Sequence, residues 1–270
     1  MKKYLFFDVD GTLMPFGKRL PDSARKALLD AHNNGHELFL ATGRGMNELE
    51  PELLELPFVG GIFSAGAVCI YKDEKVVNHI FTQSQLTELY DIAKEYDLDY
   101  LIQSSNWTVM TKEFKKIFFE MFSGVDDWIV DFPNLKEVED YPLDLDIMKM
   151  VAYSEKGEMS KIKALLAEKY DVVDNSFGVS QDCFSEISLK NITKASGFLE
   201  MVNYLNIDVK DTYFCGDEMN DLDIAKVVGT SIALGNACEE LKKISDYITS
   251  DINLDGIKNA LEHFNLITTT

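Results

Sequence analysis

Tyr4-Leu5-Phe6-Phe7-Asp8-Val9-Asp10-Gly11-Thr12-Leu13 is the stretch whose reading decides the fold. Its apolar half, Tyr4 to Phe7, reads as a buried strand, which stops on two aspartates sharing one side of the extended backbone before a glycine turn. In an open parallel sheet, the C-terminal ends of the strands are where ligands bind. Two carboxylates held together there repel strongly unless a cation or a shared proton separates them, and a hard cation such as Mg²⁺ answers that need. A Val-Asp-Gly turn capping an ordinary strand is the bland alternative. Against it, Asp-x-Asp-Gly-Thr occurs by chance about once in 10⁵ positions at average residue usage.

Outward from this strand, Pro15 and Gly17 mark a loop, and Pro21-Asp22-Ser23 opens a helix with Ala24, Ala27, Leu28 and Ala31 at helical spacing until Gly35. Glu37 to Ala41 reads as a second strand ending at Thr42-Gly43-Arg44, with a helical stretch following to about Leu54. Gly61-Ile62-Phe63 gives a third strand, and residues 67–80 alternate like a hairpin. Strand, helix, strand, helix implies parallel strands with right-handed crossovers.

The texture changes near Thr82. An amphipathic helix (Leu86, Leu89, Tyr90, Ile92, Ala93), strands at 100–102 and 107–110, and an aromatic helix through Phe114, Phe118, Phe119 and Phe122 come first. A strand at 147–151, a helix through Ile162, Leu165 and Leu166, and a strand at 184–188 complete a separate α+β module. The α/β alternation then resumes with a helix at 194–205, strands at 212–215 and 231–234, a helix after Glu218 and a last helix at 254–264. The expected architecture is α/β: a Rossmann-like, doubly wound, mostly parallel core from residues 1–82 and 189–270, with residues 83–188 inserted as a second domain. Thr268-Thr269-Thr270 reads as a frayed end.

With 270 residues, 46% of them hydrophobic and 27% charged, the chain can bury a sizeable core. A formal charge of -20, from 26 basic and 46 acidic residues, argues against nucleic acid or an anionic membrane as partner. Cys69, Cys183, Cys215 and Cys238 form no CxxC pair, the basic start Met1-Lys2-Lys3 lacks a long enough apolar run behind it, and the expectation is a cytoplasmic protein with reduced thiols. Oligomeric state is not legible.

Three stretches are the partners the first one needs. Thr42 and the Gly43 amide follow the second strand and suit a phosphate oxygen, or alternatively a helix cap. Lys194 opens a helix, where a cation is disfavoured by the macrodipole, so an anion beside it is the economical explanation, with a solvated lysine as the alternative. Gly216-Asp217-Glu218-Met219-Asn220-Asp221 follows a buried strand and repeats the geometry of the first motif, with more polar groups than one cap requires.

Taken in order, Asp8-Val9-Asp10-Gly11-Thr12, Ala41-Thr42-Gly43-Arg44, Ile192-Thr193-Lys194 and Gly216-Asp217-Glu218-Met219-Asn220-Asp221 resemble the four motifs of the haloacid dehalogenase (HAD) superfamily in its Cof-type branch. The resemblance implies a phosphatase acting on a small phosphorylated metabolite, with Asp8 as nucleophile and Asp10 as general acid and base. It further implies Mg²⁺ held by Asp8, the Asp10 backbone carbonyl and Asp217, and a phosphoryl group gripped by Thr42, Gly43, Lys194 and Asn220. Asp221 and Arg44 would support these groups, and the insertion would be a type C2 cap. One departure stands out: Ala65-Gly66-Ala67 replaces the family's usual Asn-Gly-Ala. The alternatives are a phosphosugar mutase, disfavoured by the short fourth motif, and a phosphometabolite-binding regulator on a retired enzyme. Asp251 and Asp255 are read as helix caps, His32, His36, His79 and His263 as non-catalytic, and the aromatic stretch with Trp107 and Trp128 as module core.

Overall fold

Leu5, Phe6 and Phe7 are almost wholly buried, so β1 (Tyr4–Phe7) is clothed on both faces, as a central parallel strand must be. The computed structural model describes residues 1–15, 18–121, 135–138, 145–174 and 182–268. The expectations placed on Gly17, Phe122, Trp128, Thr269 and Thr270 fall outside them.

After β1 come α1 (Asp22–Asn33), β2 (Glu37–Ala41), α2 (Pro51–Leu54), β3 (Phe58–Phe63) and a hairpin of β4 (Val68–Tyr71) and β5 (Glu74–Asn78). Next follow α3 (Gln83–Glu95), β6 (Asp99–Ser104), β7 (Thr108–Thr111), α4 (Lys112–Met121), β8 (Leu135–Val138), β9 (Ile147–Tyr153), α5 (Met159–Leu166), β10 (Tyr170–Asp174) and β11 (Phe184–Leu189). The chain closes with α6 (Lys194–Leu205), β12 (Thr212–Gly216), α7 (Leu222–Ala225), β13 (Thr230–Ala233), α8 (Glu239–Ile244), β14 (Tyr247–Ile248) and α9 (Gly256–His263).

These elements form two compact units. The first comprises Met1–Arg44, Leu49–Asn78 and Thr193–Thr270, and the second Gly45–Glu48 and His79–Ile192. In the first, an eight-stranded sheet runs β14-β13-β12-β1-β2-β3-β4-β5, parallel from β14 to β3 and antiparallel in the hairpin. Phe6 stacks on Phe39 at 4.7 Å and meets the edge of Phe198 from α6 at 5.1 Å, so one face is sealed by aromatic packing. Helices α1 and α9 pack on each other, with α1 also against β2, and the result is the doubly wound α/β fold that the strand-helix alternation implies.

The second unit carries a six-stranded sheet, β10-β11-β9-β6-β7-β8, antiparallel except for the parallel pair β7 and β8. Leu86, Leu89 and Tyr90 of α3 and Ile162 and Leu166 of α5 share a core with Tyr100, Ile102, Met150 and Ile187. Phe114 and Phe118 of α4 pack with Leu101, Met110, Val151 and Phe184, so the described part of the aromatic stretch is core of this unit.

Two sequence expectations are corrected. Residues after Arg44 are not one helix to Leu54: a 3₁₀ turn spans Met46–Glu48, Glu50 is extended (φ -64, ψ 141), and only the single turn α2 follows. Pro51 is the cause, since its ring pushes the preceding residue out of the helical region. Strands β8, β10 and β14 are additions that short or polar-alternating sequence does not announce, β14 having two residues. Among the described residues, no helix is long and apolar enough to cross a membrane.

Candidate active site

Three neighbouring parallel strands, β12, β1 and β2, end side by side, and the residue after each is Asp217, Asp8 and Thr42. The register aligns Phe7 with Cys215 on one side and Leu40 on the other, and the Asp8 amide donates to the Cys215 carbonyl at 2.9 Å. Adjacent strands are about 4.8 Å apart, so backbone pairing alone brings the three side chains within reach of one small ligand.

Lys194 arrives from across the sheet. The Thr193 hydroxyl accepts from the Ser196 amide and caps α6, fixing the helix start. The Lys194 ammonium, 1% exposed, donates to Asp8 Oδ1 at 2.6 Å and to Asp221 Oδ1 at 2.7 Å. The other Asp221 oxygen accepts from the backbone amides of Asp217 (2.9 Å) and Glu218 (3.2 Å), so both oxygens of that buried carboxylate are engaged by the protein. Asp221 is thus a brace between the lysine and the β12 turn. The paired carboxylates hold the Lys194 pKa above its ordinary value even though burial opposes this. Removing Lys194 would leave two buried carboxylates without their shared cation.

Asp217 has no cation of its own among its hydrogen-bond partners. Its Oδ1 accepts from the Thr12 hydroxyl at 2.8 Å, and burial, its largest influence, pushes its pKa up to about 7. Burial likewise raises the Asp8 pKa, against the pull of Lys194. Gly11 (φ +78) passes so close that a Cβ there would lie 2.1 Å from Asp217 Oδ2, so glycine is required both by the backbone angle and by the carboxylate. The Asn236 amide donates to the Gly11 carbonyl at 2.8 Å and fixes the same turn.

Asp10 parts company with Asp8. The turn after Val9, whose carbonyl accepts from the amides of Thr12, Leu13 and Met14, sends the Asp10 carboxylate to Arg44, which donates from Nε to Oδ2 at 2.8 Å and from Nη2 to Oδ1. Arg44 Nη1 donates to Glu50 Oε1 at 2.7 Å, and the Arg44 amide donates to Thr42 Oγ1 at 3.1 Å. The Asp10 side chain is 43% exposed, against 7% for Asp8.

Beyond these contacts, Gly43 is half-buried, and Asn220 is exposed in the 3₁₀ turn after Glu218. Asp251 caps a 3₁₀ turn by accepting from the Asn253 amide at 2.8 Å, and Asp255 sits at φ 61 before α9. His36 accepts from the Lys3 amide, and His263 stacks on Tyr247. Ala65 adopts φ 55 and its amide donates to the Thr42 carbonyl at 3.0 Å, so the tripeptide that replaces Asn-Gly-Ala still buttresses the β2 end. Thr12, Asn236 and Glu50 are the supports sequence reasoning did not assign. Thr12 lay within the quoted motif, whereas Asn236 and Glu50 carry no spacing signal.

Asp8, Asp217 and Asp221 place one carboxylate oxygen each within 4.8 Å of one another. Three buried carboxylates against one ammonium leave the pocket negative. With Asp221 saturated and one oxygen each of Asp8 and Asp217 already bonded, Asp8 Oδ2 and Asp217 Oδ2 are the donors left over. An all-oxygen, anionic donor set fits a hard divalent cation.

Comparison with known proteins agrees. The family model of haloacid dehalogenase-like hydrolases matches residues 5–261. A Bacillus subtilis protein named "Putative phosphatase YkrA" is 26% identical over 265 residues, covering 98% of each chain. Among solved structures, one described as the HAD subclass IIB sugar phosphatase BT4131 superposes with a TM-score of 0.78 at 26% identity, covering 98% of this chain and 100% of the other. A hypothetical protein of Geobacillus kaustophilus HTA426 shares the fold at a TM-score of 0.85 and 24% identity, over 99% of this chain and 100% of that one.

Proposed function

This chain belongs to the haloacid dehalogenase-like hydrolase family, in its Cof-type branch, and from that premise we propose a Mg²⁺-dependent phosphatase that hydrolyses a small phosphorylated metabolite through an aspartyl-phosphate on Asp8. The observation that carries the reading is the buried Asp8 carboxylate, tethered by Lys194 through Oδ1 at 2.6 Å and beside an Asp217 that lacks a cation.

Asp8 attacks phosphorus in line as the alkoxide departs, and Asp10 gives that alkoxide its proton. Asp10, now ionised, takes a proton from water, whose oxygen attacks the aspartyl-phosphate; the Asp8 oxygen leaves with its electron pair, releasing inorganic phosphate. Lys194 orients Asp8 and neutralises charge on the phosphoryl oxygens, which Thr42, Gly43 and Asn220 also contact. Bound Mg²⁺, held by Asp8, Asp217 and the Asp10 carbonyl, would neutralise the repulsion between a phosphate dianion and this acidic pocket.

We assign residues 83–188 as the cap that reads the leaving group, inserted between the core segments 1–82 and 189–270. A sugar phosphate or a phosphorylated cofactor is the substrate class, the former supported by the sugar phosphatase among the structural relatives. A cytoplasmic setting is the proposed location, supported by four cysteines that remain free thiols. The test is phosphate release from a panel of phosphorylated metabolites with Mg²⁺ and with EDTA. Metal-dependent release by wild type is expected; no release from any ester, or a rate indifferent to chelator, would refute the reading.

A further inference from the structure

The helix that carries Lys194 lies against a turn of uncommon backbone. Directly after β3, Ser64, Ala65 and Gly66 take φ values of 48, 55 and 107, left-handed residues in succession. Such a run is costly for residues with a Cβ and persists only where its surroundings over-determine it. Here the surroundings are two parts of the site. On one side the Ser64 amide donates to the Arg44 carbonyl at 2.8 Å and the Ala65 amide to the Thr42 carbonyl at 3.0 Å, tying the turn to the end of β2. On the other side is the start of α6.

Two glycines make that second contact. A Cβ on Gly66 would stand 2.0 Å from the Thr193 carbonyl oxygen, 2.6 Å from its carbon and 3.3 Å from the Lys194 nitrogen, so Gly66 abuts the peptide bond that leads into Lys194. The same carbonyl accepts from the Gly197 amide at 3.0 Å, the first hydrogen bond of α6. Gly197 faces the turn in return: a Cβ there would lie 2.9 Å from the Gly66 Cα, 2.8 Å from Ile62 Cγ2 and 3.2 Å from Cys69 Sγ. Glycine is the poorest helix former after proline, and its place in the second turn of α6 is explained by this close approach. Turn and helix thus meet backbone to backbone.

We propose that Gly66 and Gly197 are positioning residues, a two-glycine seat that sets the place of Lys194 relative to Asp8 and Thr42. The left-handed turn is fixed to the end of β2, and α6 is fixed to the turn, so the ammonium reaches Asp8 at 2.6 Å from a helix start that cannot drift. A side chain on either glycine lifts α6 off the turn. Real Cβ atoms do not come within 3.0 Å of such neighbours, which makes the forced movement about 1 Å at Gly66 and a few tenths of an ångström at Gly197. A misplacement on the order of 1 Å costs about 10²-fold in rate when it falls on a catalytic group. What the seat does for turnover rests on the proposed phosphatase reading; where it holds Lys194 does not.

Three alanine variants separate positioning from backbone strain. Gly35, at φ +90 with open space where a Cβ would go, carries the backbone cost alone. Gly66→Ala adds the larger displacement, and Gly197→Ala adds the smaller one while gaining helix propensity. The measurement is kcat and KM per folded molecule, with the folded fraction from circular dichroism, on the phosphomonoester that wild type turns over fastest. Expected are a kcat within about twofold of wild type for Gly35→Ala, a loss of about three- to tenfold for Gly197→Ala and about 10²-fold for Gly66→Ala, with KM changed less than about threefold. Full turnover in Gly197→Ala, or an equal loss in Gly35→Ala, overturns the seat, and Gly197→Ala decides alone if Gly66→Ala does not fold. In the crystal structure of Gly197→Ala, superposed on the parallel strands, the Lys194 Cα is expected to be displaced by a few tenths of an ångström. An α6 that stays in place while Ile62 and Cys69 give way overturns the seat as well. Wild type that hydrolyses no ester brings down the phosphatase reading instead, and the crystal structure still decides the seat.

Discussion

The ends of β1 and β12 are neighbours built on one plan, each an apolar strand that stops at a buried aspartate, yet their carboxylates meet opposite surroundings. Asp8 has an ammonium at 2.6 Å, whereas Asp217 has only a hydroxyl at 2.8 Å. One rim is completed by a lysine, and the other has a carboxylate with no cation among its hydrogen-bond partners. The pairing explains why a site with three carboxylates and one lysine can be both folded and reactive.

The most severe way to break the comparison is Asp8→Asn, expected to cut kcat by about 10⁴-fold or more while leaving the melting temperature close to that of wild type, read by phosphate release and thermal denaturation. Next in size is Lys194→Met, which removes the cation that Asp8 and Asp221 share. A loss of about 3–5 kcal/mol in urea unfolding is expected, together with loss of turnover. The contact between the rims is probed by Gly11→Ala: at φ +78 and with its Cβ 2.1 Å from Asp217 Oδ2, the variant should lose about 1–3 kcal/mol and bind Mg²⁺ more weakly by calorimetry.

Proton linkage sharpens the contrast further. A carboxyl whose folded pKa is raised from 3.8 to about 7 binds its proton more tightly in the folded state, so Asp217 favours folding at low pH. That contribution is lost as pH rises through the interval between the two values. In EDTA the melting temperature should therefore fall from pH 5 to pH 7.5 by this group's share. Mg²⁺, competing with that proton, should raise it more at pH 8 than at pH 6, and Asp217→Asn should abolish the difference. The smallest effect belongs to Ala65→Gly, which relieves a left-handed alanine at φ 55 and should gain up to about 1 kcal/mol.

What the sequence made legible followed from local pattern. The run Tyr4 to Phe7 and the helix 194–205 could be read because burial on both faces and a single amphipathic stripe leave periodic traces, and the structure places them at Tyr4–Phe7 and Lys194–Leu205. Lys194, read at a helix start, reaches Asp8, while Lys190 four residues earlier pairs with Asp171. The sequence also put Asp8 and Asp10 on one side of an extended chain, and this is where spacing fails. Extended geometry ends at Asp8, and three amides folding back onto the Val9 carbonyl redirect Asp10 to Arg44. Glu50 and Asn236 were invisible because they act through contacts across 6 and 225 positions that no period encodes.

The place of β1 in the sheet has a consequence for how the molecule is made. Its neighbour β2 is synthesised soon after it, but its other neighbour is paired through Tyr4 and Thr212, almost at the far end of the chain. At about 5–20 residues per second, the ribosome takes roughly 10–40 s to supply that second partner. For that interval this apolar strand presents an open edge, the kind that recruits foreign strands. Asp8 at its tip also waits for Lys194 through most of it. The nascent chain thus passes through an aggregation-prone stage that the finished sheet conceals, and demand for a chaperone should peak before residue 212 emerges and fall once it pairs.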